Sequence, residues 1–404
     1  MSEHDLFPFT HEWLSDMDAS LAANLRKWAE SELMDKRLEL KEDYSGLLEP
    51  AMRKLFLDIG LQRLLWPEAY GGDGHNSPEA ALTMAAALEQ IARGDTSIAL
   101  LLSGIWALQS CMAMEGRENA EACETFAGLF SSKEELALAS LVLPLFRDEP
   151  QASAKLSRGS WTVEAKKARP IICGADATVY GVYCATGGSD GAEDVGLIAL
   201  ASDAKGLKKG KPFLKAGLGA NRNADVTLSK AKAAEGMCVA KGLQDCRAAL
   251  AWLYLGISAS NVGALFASYE ILKEWGDNRV IKGKEQIFKD NPLTSSVMAE
   301  VAKEITIDRM LTYDLARILA APDVYGEAGE ERNYVTACIV AHQVAQSAEK
   351  AIGNAMEMMA SAGYATEWNL ERYWRDTKTM QLCLGPYELA KMDYAHYFYQ
   401  SQAR

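Results

Sequence analysis

The sequence lacks several patterns that would place it in particular classes of protein. Its 404 residues carry a formal net charge of −13, so it lacks the basic surplus with which proteins bind nucleic acid or anionic membranes. No run approaches about eighteen apolar residues, so no membrane-spanning helix is expected. The first ten residues are polar and acidic and lack the apolar segment of a secretory signal. These absences favour a folded, cytoplasmic protein.

The eight cysteines and five histidines lack the spacing of a metal site. The cysteines are scattered and form no C-x-x-C, which favours reduced, mostly buried thiols over a disulfide framework or a metal cluster. His342 is predicted to lie on a helix whose small residues recur at nearly heptad spacing. We expect it to pack or to hydrogen-bond there rather than to catalyse. No Ser/His/Asp arrangement and no P-loop is present.

The hydrophobic pattern changes twice along the chain. Residues 1–135 are rich in helix formers with few breakers, and residues 136–238 contain short β-branched or alternating runs split by glycines. Residues 239–404 return to helical periodicity, with a seam of small residues from Ala337 to Met358 that suits close helix packing. The pattern predicts a multi-domain α+β protein, in which an N-terminal helical domain, a middle antiparallel β domain and a C-terminal four-helix-type bundle follow one another.

Four segments carry spaced acids, bases, glycines and aromatics. They are residues 67–74 (PEAYGGDG), 88–99 (LEQIARGDTSIA), 299–313 (AEVAKEITIDRMLTY) and 357–378 (EMMASAGYATEWNLERYWRDTK). Together they resemble the acyl-CoA dehydrogenase family over nearly the whole chain, and the last segment is the most specific of the four. The order of helices, β domain and bundle is similar to the architecture of that family.

This resemblance implies an FAD-dependent flavoprotein oxidoreductase that acts on the CH–CH group of an acyl-CoA thioester. It also implies electron transfer to an electron-transferring flavoprotein, and assembly into a homo- or hetero-oligomer. It assigns substrate binding to Arg247, and FAD contacts to Arg279, Gly283, Lys284, Ser361, Gly363 and Glu388. Arginine suits phosphate, and glycine lets the backbone approach a ligand closely. The alternative interpretation of residues 279–284 is a charged turn between helices.

The sequence departs from the family at the catalytic base. Leu384 occupies the usual glutamate position, and Cys246 or Ala249, depending on the register, occupies the alternative position beside Arg247. A carboxylate is the usual base because burial raises its pKa towards the working pH. The nearest acid is Asp245, which we keep as a candidate against the commoner role of an acid in the first turn of a helix, that of a cap.

Segments that contact flavin in the family also differ here. Val142 and Leu143 replace a hydroxyl residue and an acid, and residues 167–174 (KARPIICG) replace a strand that carries a tryptophan and a hydroxyl. Three functions stay open: an acyl-CoA dehydrogenase with weakly bound FAD, a non-catalytic or FAD-poor subunit of a hetero-oligomeric enzyme, and a fold repurposed for another acyl-CoA reaction. We expect weak or absent dehydrogenation of simple saturated acyl-CoAs by this chain alone.

Overall fold

The computed structural model describes residues 7, 13–36, 45–144, 149–187, 195–281, 283 and 285–402. The first part of the described chain is helical. Its helices are α1 (Asp16–Ala29), α2 (Ser45–Arg53), α3 (Leu61–Leu64), α4 (Ala80–Gly94), α5 (Thr96–Ala113) and α6 (Ala120–Phe130). Asp95 separates α4 from α5 and caps α5, because its carboxylate accepts a hydrogen bond from the backbone of Ile98 at 2.9 Å.

A sheet follows the first helices. Its strands are β1 (Ala139–Val142), β2 (Ala152–Ser157), β3 (Ser160–Ala168), β4 (Val179–Ala185), β5 (Val195–Ala201), β6 (Leu207–Lys209), β7 (Val226–Ala234) and β8 (Cys238–Lys241). They are ordered β6-β7-β3-β2-β4-β5-β8, and β1 pairs with β4 outside that path. The predicted β domain is confirmed, but the sheet is mixed, because β1 and β2 both run parallel to β4. Strand β3 pairs with β7 along one edge and with β2 along the other, so β4 pairs with the remaining edge of β2.

The last part of the chain is a bundle of long helices. They are α7 (Gly242–Asn278), α8 (Pro292–Ala320), α9 (Pro322–Tyr325), α10 (Glu331–Met359), α11 (Leu370–Met380) and α12 (Tyr387–Tyr399). Helix α10 packs against α7 and α8, and Ala337, Ala341 and Ala348 of the predicted seam are buried. Small side chains let the helices approach closely, so the seam positions α10 against the core.

Two helices, α5 and α7, are long and apolar enough to cross a membrane by length and composition. Their apolar stretches are 89% and 100% buried inside the fold, and the two helices pack against each other. Core helices of folded proteins meet the same criterion, so it is weak evidence for a membrane. Polar residues interrupt both stretches, so neither is an uninterrupted apolar run in the sequence.

A buried carboxylate lies beside the seam. Both oxygens of Asp308 on α8 lie within hydrogen-bond distance of the Ser347 hydroxyl on α10, at 2.7 and 2.6 Å. Burial raises the pKa of Asp308 from 3.8 to about 8, although the hydrogen bond from Ser347 opposes this shift. The folded state therefore binds more protons than the unfolded state between these two values, and stability falls as the pH rises through this window.

Replacing Asp308 with asparagine is expected to stabilise the protein at pH 8. The amide keeps a hydrogen-bonding group for Ser347 and removes the buried charge, for a gain of roughly 1–4 kcal/mol. Urea denaturation between pH 5 and pH 8 measures the change. The control is Asp314→Asn on the same helix, at an exposed aspartate paired with Arg317. A wild-type stability that does not fall with pH, or equal gains in the two variants, would contradict the account.

Candidate functional site

Two charged residues of the C-terminal signature, Arg372 and Asp376, form a buried network that joins the three parts of the fold. Arg372 on α11 donates to Asp95 at the junction of α4 and α5. Asp376 accepts from the Thr96 hydroxyl at 2.6 Å and from the backbone N–H of Leu218 at 2.5 Å. Leu218 belongs to the segment between β6 and β7. The signature therefore holds α11, and the turn that follows it, in a fixed place against both other parts.

Leu384 follows α11 and lines a cavity of about 80 Å³ where the sheet meets the bundle. The other walls include Leu143 and Ile171 from the β domain, Tyr254 from α7 and His342 from α10. Leu384 is buried, so its side chain closes the cavity where the family resemblance places a carboxylate. In the described conformation the cavity is far below the roughly 300–1,000 Å³ of typical ligand pockets, so it admits only the reacting end of a substrate.

His342 lines this cavity from α10, together with Tyr334 and Cys338 of the same helix. Its Nδ1 lies 2.9 Å from the backbone carbonyl oxygen of Cys338. A carbonyl only accepts, so Nδ1 carries the proton and Nε2 is unprotonated in the neutral ring. Nε2 is buried and has no hydrogen-bond partner among the described residues. Burial lowers the pKa of His342 below 6.5, although the hydrogen bond to Cys338 opposes the shift, so the ring is neutral at pH 7.

The structure does not bring Asp245 into the cavity that Leu384 lines. Asp245 is exposed on the first turn of α7 and accepts a hydrogen bond from the backbone of Lys241 at 3.2 Å. It lines a different cavity of about 340 Å³, together with Cys111 and Trp252. Its contacts are those of a helix cap.

The other residues at the start of α7 differ in their surroundings. Cys246 is buried, and burial raises the pKa of its thiol, so it is a thiol rather than a thiolate at neutral pH. Ala249 is also buried. The guanidinium carbon of Arg247 lies 4.9 Å from the ring centroid of Tyr334, which lines the Leu384 cavity. The ring of Tyr334 therefore lies between Arg247 and this cavity.

The residues assigned to FAD lie at separate places in the described chain. Arg279 and Gly283 are exposed between α7 and α8, and Lys284 lies outside the described residues. Ser361 is exposed just after α10. Gly363 is buried. A Cβ there would lie 2.4 Å from the carbonyl oxygen of Met356, so the close packing requires glycine. Glu388 is exposed on α12 and pairs with Lys391 at 2.6 Å. Their roles towards FAD stay predictions.

The described wall of the β domain fits the apolar face of a flavin ring. Leu143 stands where the family has an acid, and Ile171 lies in the segment 167–174 that replaces the family's strand. The carbonyl of Ile171 accepts a hydrogen bond from Cys383 Sγ at 3.7 Å. This wall offers apolar packing, because the backbone N–H of Ile171 and the carbonyls of Ile171 and Leu143 already have partners within the chain. Residues 145–148 lie outside the described part. A flavin would thus be held here with fewer side-chain hydrogen bonds than the resemblance implies.

Two parts of the chain match known domain profiles. Residues 15–121 match "Acyl-CoA dehydrogenase, N-terminal domain", and residues 240–397 match "Acyl-CoA dehydrogenase, C-terminal domain". A similar protein is cyclohex-1-ene-1-carbonyl-CoA dehydrogenase of Geobacter metallireducens, 24% identical over 380 residues. That alignment covers 91% of this chain and 94% of the relative.

Solved structures show the same fold. Butyryl-CoA dehydrogenase from Megasphaera elsdenii matches with a TM-score of 0.76 and 20% identity, over 96% of this chain and 99% of that one. A glutaryl-CoA dehydrogenase from Mycobacterium smegmatis in complex with FADH2 matches with a TM-score of 0.76 and 17% identity, over 98% and 97% of the two chains. These matches confirm the predicted architecture, and with the two domain profiles they show that this chain belongs to the acyl-CoA dehydrogenase family.

Proposed function

We propose that this chain is an FAD-dependent oxidoreductase that acts on the CH–CH group of an acyl-CoA thioester. The observation that carries the proposal is the cavity beside Leu384, which lies between the β domain and the bundle at the family's base position. The buried network of Arg372 and Asp376 supports it, because it fixes the turn that carries Leu384. The similar proteins bear names of acyl-CoA dehydrogenases, which agrees with a thioester substrate.

The cofactor part of the proposal concerns FAD. Bound FAD would supply a hydride acceptor for the β-carbon of the substrate. The residues proposed to hold it are Leu143 and Ile171 on the β-domain side and Ser361 after α10. The exposed Arg279 and Gly283 suit contact with the cofactor of a second subunit. The chain's own side chains close the site with apolar groups, which excludes water from the reacting end of the thioester.

Weak FAD binding by the isolated chain is the expected result. Each hydrogen bond lost with the hydroxyl and acid positions weakens binding by roughly 0.5–1.5 kcal/mol, and about 1.4 kcal/mol is tenfold in affinity. Titrating FAD into protein stripped of cofactor, followed by flavin fluorescence, measures it. The matched variant is Ile171→Thr, which adds a hydroxyl to this wall and is expected to tighten binding. Nanomolar affinity of the wild type would contradict this account.

Partners form the last part of the proposal. We propose an oligomer, which agrees with the exposed aromatic side chains at the end of α12, where Tyr399 is 83% exposed and Phe398 is also exposed. An electron-transferring flavoprotein is proposed as the acceptor of the electrons. A cytoplasmic location is proposed with it.

Anaerobic addition of acyl-CoAs to the FAD-loaded protein tests the main proposal. The expected result is slow bleaching of the visible flavin absorbance by at least one saturated acyl-CoA. Bound flavin that no acyl-CoA reduces would contradict the dehydrogenase activity.

A second function is favoured by Leu384 and by Leu143, because each stands where the family resemblance places an acid. It is that of a subunit without its own flavin site, which completes the site of a different, catalytic subunit. Failure to bind FAD even at millimolar concentration would favour this second function over the first.

A further inference from the structure

The unprotonated nitrogen of His342 has no structural role among the described residues. A buried acceptor without a partner destabilises the folded state, and such groups are rare enough to call for an explanation. The residue is only 4% exposed, so bulk water does not solvate the ring freely. A hydrophobic side chain of similar size would avoid this cost.

The contacts of the ring fix its orientation. Nδ1 donates to the carbonyl of Cys338, and the hydroxyl of Tyr394 on α12 lies 3.4 Å from the same nitrogen. The imidazole packs against Tyr387, with 5.4 Å between the ring centroids. Tyr387 begins α12, directly after the turn that carries Leu384. The imidazole and the family's base position therefore belong to one packed unit and line one cavity.

We propose that His342 is the general base of this chain and performs the proton transfer that the family's carboxylate performs from the Leu384 position. This inference rests on the proposed function. Nε2 takes the α-proton of the bound thioester: the C–H bond breaks, an N–H bond forms, and the electron pair moves onto the thioester as an enolate. In the absence of hydride transfer Nε2 returns a proton to the same carbon, and in D2O this is a deuteron once the N–H has exchanged with solvent.

Two of the other groups around the cavity keep their protons at neutral pH. The titratable or charged side chains that line the cavity or face His342 are Tyr254, Tyr334, Cys338, Cys383, Tyr387, Asp393 and Tyr394. Burial raises the pKa of Cys383 to about 12 and raises that of Tyr394 as well, so both keep their protons. Asp393 is the carboxylic acid in the lining of the cavity.

Exchange of α-protons with deuterium tests the base without any redox step. Acetyl-CoA has α-hydrogens and no β-carbon, so it exchanges but is not dehydrogenated. The FAD-loaded protein is incubated with acetyl-CoA in D2O, and mass spectrometry follows the gain of deuterium. The test variant is His342→Asn, whose amide can still donate to the carbonyl of Cys338. We expect exchange to fall by about 10²–10⁴-fold.

The control is His396→Asn, at an exposed histidine on α12, and it should exchange like the wild type. Equal exchange in the wild type and in His342→Asn overturns the proposal, and so does a wild type that exchanges no faster than buffer. If His342→Asn does not fold, the pH profile of the wild type decides. Exchange controlled by one group with an apparent pKa below the ordinary 6.5 of histidine supports His342, and a profile without such a step overturns it.

The two proposals fail in different ways. Exchange with acetyl-CoA but no flavin reduction by any longer acyl-CoA would leave His342 as a base and remove the oxidoreductase function. Flavin reduction that is unchanged in His342→Asn would support the oxidoreductase function and contradict the role of His342 as the base.

Discussion

Replacing Arg309 with methionine is expected to lower the free energy of unfolding by about 3–5 kcal/mol. Arg309 on α8 donates from Nε to Glu89 on α4 at 3.0 Å, and from Nη1 to the carbonyl of Phe7 at 2.8 Å. Both members of the pair are buried, so the substitution leaves the Glu89 carboxylate without its cation in the core. Urea denaturation at fixed protein concentration measures the loss.

A double variant separates the ion pair from packing. Glu89→Leu combined with Arg309→Met removes both charges, and we expect it to recover most of the lost stability, because apolar pairs often replace buried ion pairs without net cost. The control is Lys303→Met on the same helix, where an exposed pair with Glu300 should contribute less than about 1 kcal/mol. Equal losses in Arg309→Met and Lys303→Met would show that burial does not govern this pair.

Introducing glutamate at Leu384 is expected to restore proton transfer in a chain that lacks the imidazole. In the His342→Asn background, Leu384→Glu should raise α-proton exchange with acetyl-CoA by about 10²–10⁴-fold. The physical reason is that both side chains line one cavity, so a carboxylate there reaches the same thioester. Its burial would raise its pKa and make it a stronger base once ionised.

The matched control for this variant is Leu293→Glu, which makes the same substitution at an exposed leucine at the start of α8. It should leave exchange at the level of His342→Asn alone. If Leu384→Glu gives no gain while the protein still binds acetyl-CoA, the Leu384 cavity is not the place where the α-carbon lies.

The order of the three parts could be predicted from the sequence because the hydrophobic pattern changes from helical to strand-like and back to helical. Helical periodicity marked α10, and its small residues from Ala337 onwards are buried as predicted. The parallel pairing of β2 with β4 could not be read in this way. This pairing depends on β7 pairing with one edge of β3, and the composition of the strands does not indicate which edges pair.

The candidate site was only partly predictable. The spacing from Asp376 located Leu384, and the structure places Leu384 in a cavity between the β domain and the bundle. Asp245 was chosen because it is near in sequence, but it faces a different cavity, since neighbouring residues on a helix point in different directions. His342 was interpreted as a packed residue. Its position directly after Ala341 of the seam was the signal for a core-facing side chain, whereas its unpartnered Nε2 is visible only in the packed structure.

The most direct test of the central claim is whether the purified chain forms an α,β-unsaturated thioester. The FAD-loaded protein is incubated with a saturated acyl-CoA and an artificial electron acceptor, and mass spectrometry measures the thioester that has lost two hydrogens. We predict slow formation of the unsaturated product by the wild type and much slower formation by His342→Asn. A wild type that binds FAD and the acyl-CoA and forms none of this product would contradict the account.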